Sequence, residues 1–184
     1  MHRNNQRLIL AAGSLLLAAC GPSDDTLSAL GRSQKIQESA PVKASSAAVI
    51  NAPTHKVWNI LTNVANWPRW QPDVSSVSIA GAPRTGVPFT WISDDTTIHS
   101  RMVLFSPFTS VAWIGHASLA RAVHVFTLTA LDSNRTRVES KESMDGPMLS
   151  RFYSSAELRA SEDKLLKNLK AASESSPASS GAEN

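Results

Sequence analysis

The chain holds few ionisable residues that could do chemistry inside a core, and two of them fall on the inward faces of adjoining strand-like segments. Segments 122–132 and 136–144 alternate in polarity and are joined by the short turn sequence Asp132-Ser133-Asn134-Arg135, which favours an antiparallel hairpin. His124, Phe126, Leu128 and Ala130 share one face of the first. Val138, Ser140, Glu142 and Met144 share one face of the second, with Arg137, Glu139 and Lys141 opposite. The face with more charge belongs to solvent, so Glu142 points inward with His124. Such a pair can hydrogen-bond the polar end of a hydrophobic ligand, or act as acid and base in an aldol-type cyclisation or dehydration. It can equally be a structural pair, retained because loss of one partner strands the other. Tyr153, the only tyrosine, is a third catalytic candidate, since an inward hydroxyl needs a partner.

Other chemistries find little support. His55, His99, His116 and His124 lie in different elements with no HxxxH or HExxH spacing, so no metal site is expected. A GxSxG elbow and a phosphate-binding glycine loop are both missing, and the expected cofactor list is empty. Lysines and arginines number 18 against 15 acids, yet they form no stripe, and nucleic acid is not an expected partner.

The elements that would position the pair read in order as follows. Val42 to Ile50 suggests a strand. A turn at Asn51-Ala52-Pro53-Thr54 leads into a short helix from His55 to Val64, and Asn66-Trp67-Pro68-Arg69-Trp70-Gln71-Pro72 gives an aromatic turn or a second short helix. Strands follow at about 74–80, 87–92, 97–105, 109–116, 122–132 and 136–144, favouring an antiparallel sheet. A long helix from Gly146 to Ala172 closes the fold, with Pro147 suited to its first turn. Leu149, Phe152, Tyr153, Ala156 and Ala160 form one apolar stripe, while Leu158, Leu165 and Leu169 fall nearly opposite. Burial on two sides and a bend near Ser154-Ser155 both remain open. Glu157, Arg159, Glu162, Asp163, Lys164, Lys167 and Lys170 are assigned to its wet face. The expected interior, and the ligand-binding set if a cavity exists, comprises Trp91, Met102, Trp113, His124, Phe126, Glu142, Met144, Phe152 and Tyr153. Trp67 and Trp70 more often cap a core, and Arg101 and Arg121 are expected at solvated strand positions.

The N-terminus has a different character. A basic start containing Arg3 and Arg7 precedes an apolar run too short to span a membrane. It ends in Leu17-Ala18-Ala19-Cys20-Gly21, which resembles the lipobox of bacterial lipoproteins, and Cys20 is the only cysteine. The resemblance implies a signal peptide over 1–19, lipidation at Cys20 and a membrane as partner. Gly21 in place of Asp implies export to the periplasmic side of an outer membrane. Loss of Arg3 and Arg7 would leave 16 basic against 15 acidic side chains, a net charge of +1. Residues 20–41 and 173–184 are poor in large apolar groups and are expected to be a flexible tether and a disordered tail.

The order of strand, helix, aromatic turn, antiparallel strands and long helix resembles the α+β helix-grip fold of the START-like superfamily, also called SRPBCC or Bet v 1-like, and within it the polyketide cyclase/dehydrase-like branch. The likeness is carried by Ala52-Pro53-Thr54-His55-Lys56-Val57-Trp58, Asn66-Trp67-Pro68-Arg69-Trp70, Val111-Ala112-Trp113-Ile114-Gly115, Glu142-Ser143-Met144-Asp145-Gly146 and Leu166-Lys167-Asn168-Leu169-Lys170. It covers residues 42–172. It implies a curved antiparallel sheet around the C-terminal helix with an apolar cavity between them, and a hydrophobic small molecule or lipid as partner. A fold does not select a chemistry, so a membrane-anchored binding protein, a cyclase or dehydratase, and a non-catalytic envelope interaction protein all stand as expectations.

Overall fold

A computed structural model describes residues 21–118 and 120–175; the expected signal segment, Cys20 and the last nine residues of the expected tail lie outside them. Its elements are α1 (Asp24–Arg32), β1 (Val42–Ile50), α2 (Thr54–Thr62), a 3-10 segment (Val64–Arg69), β2 (Val74–Ile79), β3 (Pro88–Ser93), β4 (Thr96–Ser106), β5 (Ser110–Ala117), β6 (Ala120–Asp132), β7 (Arg135–Asp145), a 3-10 turn (Leu149–Arg151) and α3 (Ser155–Glu174). The strands form one antiparallel sheet in the order β1-β7-β6-β5-β4-β3-β2. Each neighbour from β2 to β7 is the next strand in sequence, as short turns dictate. The curved sheet and C-terminal helix are the helix-grip arrangement expected.

Period-two alternation sorts the sheet into two cores. Trp113 on β5 and Phe126 and Leu128 on β6 pack with α2 and with Leu166 and Leu169 of α3. The alternate residues Ala112, Ile114, Val123 and Val125 pack on the other face with Leu27 and Ile36. β5 is therefore buried on both sides, which explains its unbroken apolar run Val111-Ala112-Trp113-Ile114.

The cover on that second face corrects the flexible tether expected over 20–41. Ser23 caps α1 by accepting from the Thr26 amide, and Asp24 and Asp25 occupy the first turn, where the helix dipole favours acids. Leu27 is buried with Ile36 against the sheet, each such side chain contributing about 1.5–3 kcal/mol. Gly31 permits the close approach, because a Cβ there would lie 2.6 Å from Val103 Cγ2. Arg121 Nη1 donates to the Pro22 carbonyl at 2.9 Å and the Gln37 amide donates to Ser143 Oγ at 3.0 Å. Few apolar residues suffice here because the sheet supplies the other half of the core.

The C-terminal helix also differs from its expected bounds. It starts at Ser155, not Gly146, because Ser154 and Glu157 form a reciprocal capping box. The preceding loop makes only the 3-10 turn and carries Met148 in a left-handed conformation, φ 60°. The buried stripe is Leu158, Glu162, Leu166, Leu169 and Ser173. Ala156 and Ala160, expected on the inward side, are exposed. Ser173 and Glu174, expected in the tail, belong to the helix: Ser173 is buried, and Glu174 Oε1 accepts from the Asn51 amide at 2.6 Å.

Candidate functional site

β6 and β7 place His124 directly opposite Glu142, and Ser140 lies two residues from Glu142 on the same face. The third ionisable group comes from above, where α3 lowers Glu162 onto the pair. Glu162 Oε2 lies 3.2 Å from His124 Nε2, which is also 2.7 Å from Ser140 Oγ. Ser140 Oγ in turn donates to Glu162 Oε2. On the other side of the ring, His124 Nδ1 is 3.7 Å from Glu142 Oε2. The imidazole stacks on Phe126 with centroids 4.4 Å apart and leans on Trp113 at 5.0 Å.

Burial alone would strip the proton from His124, but the charges of Glu162 and Glu142 outweigh it and hold the imidazole pKa above its ordinary value. The carboxyls separate. Burial pushes Glu142 up to about 8, against the pull of His124 and aided by the Glu162 charge. Burial acts upward on Glu162 too, yet His124 and the hydrogen bonds from His124, Ser140 and Glu142 bring it below the usual carboxylate range. At neutral pH the floor therefore holds an ionised Glu162 and a protonated Glu142, with His124 between them. A proton donor and a proton acceptor stand side by side, the separation of roles that acid-base chemistry needs. One ligand atom from each of His124, Glu142 and Glu162 lies within 4.8 Å of the others, a donor set of the kind divalent cations use. The expectation of no metal overlooked this cluster because Glu162 had been assigned to the wet face.

Above the three groups lies a cavity of about 220 Å³ between the sheet and α3. Of the residues expected to line it, Trp91, Trp113, His124, Glu142, Met144 and Tyr153 do so. Met102 and Phe126 instead lie within the packed core, Phe126 stacking under Trp113 with centroids 5.3 Å apart. Phe152 is 77% exposed, because the loop before the Ser154 cap is not helical and turns its ring outward. Tyr153 reaches the cavity and pairs its hydroxyl with Ser161 Oγ at 3.1 Å; burial first, then nearby Glu142 and Glu162, raise its pKa despite that bond. Trp67 is both a core cap and a wall, its indole Nε1 donating to the Leu61 carbonyl at 2.9 Å. Arg101 and Arg121 face the α1 side, toward Asp24 and Pro22.

Glu162 lines this candidate site, although the sequence analysis assigns it to the wet face of the helix. Its signal was present: it sits four residues after Leu158 and four before Leu166, a lone carboxylate inside the helix's buried stripe. Asp94 was also missed. It occupies a two-residue β3–β4 turn with Asp95, both at positive φ, 44° and 63°, which sets its carboxylate on the cavity rim.

Comparison with known proteins agrees with this architecture. Residues 41–174 match the family described as polyketide cyclase / dehydrase and lipid transport. The chain belongs to that family. Among solved structures, this family member is similar to a hypothetical protein of Helicobacter pylori at 16% identity and TM-score 0.66, covering 74% of this chain and 90% of that one. A START superfamily protein from Mycobacterium smegmatis is similar at 12% identity and TM-score 0.61, with 72% and 97% covered. The Zhui aromatase/cyclase from Streptomyces sp. R1128 is similar at 16% identity and TM-score 0.52, with 71% and 87% covered. At these identities the likeness is one of fold. None of the curated proteins matches the chain in sequence.

Proposed function

We propose that this family member is a binding protein that holds a small hydrophobic molecule between sheet and α3, anchored to a membrane through acyl chains on Cys20. The observation that carries the binding reading is the cavity of about 220 Å³ with apolar walls and a polar floor of His124, Glu142 and Glu162. An apolar cavity of about 150 Å³ accommodates benzene, so a molecule of one or two rings fits inside and a longer chain would project through the opening. The anchoring reading is supported by the lone cysteine directly after an apolar run that ends in Ala18-Ala19. Gly21 in place of Asp directly after Cys20 supports an outer-membrane, periplasmic location as part of the same proposal.

Native mass spectrometry of the purified full chain, followed by organic extraction, tests the first part. A stoichiometric hydrophobic adduct is expected; a protein that remains empty after exposure to an envelope lipid extract would overturn it. Replacement of Cys20 by serine tests the second. The protein should move from the membrane fraction to the soluble fraction, and an unchanged distribution would remove the anchor from the proposal.

A cyclase or dehydratase reading is favoured by one specific feature, the opposed shifts of Glu142 and Glu162 on one cavity floor. Protonated Glu142 would donate to a ligand carbonyl, and Glu162 would accept through His124. Turnover of an extracted ligand that survives Glu142→Gln in a folded protein would exclude this reading.

A further inference from the structure

Gly21, the residue after Cys20, lies against the sheet. A Cβ on Gly21 would stand 3.6 Å from Asp145 Cγ, and the next residue, Pro22, accepts from Arg121 Nη1 at 2.9 Å. Arg121 and Asp145 are register partners near the start of β6 and at the end of β7. Consecutive Cα atoms are about 3.8 Å apart, so a group carried by Cys20 is attached beside the end of β7.

The loop that leaves β7 at that point is apolar and exposed. Residues 146–154 include Pro147, Met148, Leu149 and Phe152, with Met148 55% and Phe152 77% exposed and Arg151 exposed beside them. Met148 keeps a left-handed backbone, φ 60°, a strain that a purely connecting loop has no need to hold. The turn satisfies much of its own backbone. The Leu149 amide donates to the Gly146 carbonyl at 3.2 Å, Arg151 to Met148 at 2.9 Å and Phe152 to Leu149 at 3.0 Å, which lowers the cost of leaving water. The other exposed large apolar side chains among the described residues, Val49, Phe108 and Leu131, lie at the opposite end of the sheet.

We propose that loop 146–154 docks the domain on the bilayer that holds the acyl chains of Cys20, with Met148 and Phe152 entering the headgroup region and Arg151 meeting lipid phosphates. The inference rests on the anchoring reading above and adds the face that the anchored domain turns to the lipid. Attachment beside the end of β7 brings the loop to the surface at high effective concentration, so a contact of two apolar side chains suffices to hold an orientation. The acidic turn Asp94-Asp95 belongs to the same end of the sheet but stands beyond β6 and β5, between β3 and β4. Contact is therefore confined to the β7 corner. Met144, just before the loop, and Tyr153, within it, both line the cavity, so the docking loop is also part of the cavity wall.

The test uses the full chain, purified from membranes and reconstituted in vesicles of phosphatidylethanolamine and phosphatidylglycerol. With Cys20 acylated, Met148→Cys supplies the only free thiol for a polarity-sensitive fluorophore, and Leu131→Cys supplies the matching probe at the opposite end of the sheet. The fluorophore at position 148 should be quenched by nitroxides on the lipid acyl chains and shielded from iodide in the water; at position 131 the reverse is expected. Adding Phe152→Ser should cut the nitroxide quenching at 148 by about half, since docking strength scales with buried apolar area, while the chain stays in the membrane fraction. Equal access of iodide to both positions would overturn the docking and leave the anchor standing. Nitroxide quenching at 131 and not at 148 would put the opposite end on the bilayer and overturn it as well. Shielding of 148 from iodide without nitroxide quenching would mean that a second copy or another protein covers the loop, which also overturns it. Two labels per chain would show that Cys20 is a free thiol, and the anchoring reading would fall with the docking.

Discussion

Glu162 of the C-terminal helix and His124 of β6 meet at 3.2 Å in a buried space that neither element closes alone. The contact joins the helix to the sheet by charge as well as by apolar packing, and it places the ionised carboxylate on the helix side and the protonated one, Glu142, on the sheet side. Because His124 is held between them, each of the three groups sets the protonation of the others.

Removing Glu162 should therefore be costly. Glu162→Ala takes from His124 its nearer carboxylate and from Ser140 its acceptor, and a buried pair broken in this way costs about 3–5 kcal/mol. Urea unfolding at neutral pH measures it. A loss under ~1 kcal/mol would mean that His124 is neutral in the folded protein.

Stability should fall as pH rises from about 4.5 to about 8. Between pH 4.5 and about 8 the unfolded chain ionises Glu142 while the folded chain keeps it protonated, so unfolding releases a proton and each pH increment favours it. The raised His124 acts in the same direction: its contribution is full below pH 6.5 and is lost as pH climbs through the folded value. Glu162, lowered on folding, acts oppositely, its contribution present above pH 4.5 and lost as acid reaches the folded value. Scanning calorimetry across pH should show the highest Tm at mildly acidic pH and a decline of several degrees toward alkaline pH. Glu142→Gln should make that decline shallower, since an amide cannot ionise.

Docking of α1 depends on one missing side chain. In Gly31→Val the new branches would collide with Val103, whose Cγ2 already lies 2.6 Å from where a Cβ would stand. Overpacking of this kind costs about 1–3 kcal/mol. Hydrogen exchange should report faster exchange over Asp24–Arg32 and unchanged protection in β7, distinguishing a lifted helix from a loosened fold.

Two neighbouring substitutions should differ in effect. Ser154→Ala removes the capping box of α3 and should cost about 1 kcal/mol. Phe152→Ser, two residues earlier, changes a side chain that is 77% exposed and should stay within about 0.5 kcal/mol of the parent. Paired denaturation curves settle both.

The sheet was legible in the sequence because antiparallel hairpins write their faces as alternation, and the inward pairing of His124 and Glu142 could be followed residue by residue. What escaped were features defined by a partner element. Leu27 and Ile36 mean little until β5 and β6 offer Ala112, Ile114, Val123 and Val125; the unbroken apolar run of β5 was the available hint that something covers its second face. Glu162 escaped because a carboxylate on a helix is usually solvated, and only its spacing between Leu158 and Leu166 marked it. The start of α3 was misplaced because Pro147 is a plausible first-turn residue, whereas the Ser154-Glu157 pair is the cap that forms. That shift of nine residues, from Gly146 to Ser155, turned Phe152 outward.

The folded N-terminal segment changes the reach of the domain. A flexible chain over residues 20–41 would have a typical end-to-end distance of roughly 25 Å, enough to swing the cavity well clear of a bilayer. With Pro22 held by Arg121 and α1 laid on the sheet, a single residue, Gly21, separates Cys20 from the fixed part of the molecule. If acyl chains are attached at Cys20, the domain is moored by its own fold, with almost no slack between the lipid and the sheet.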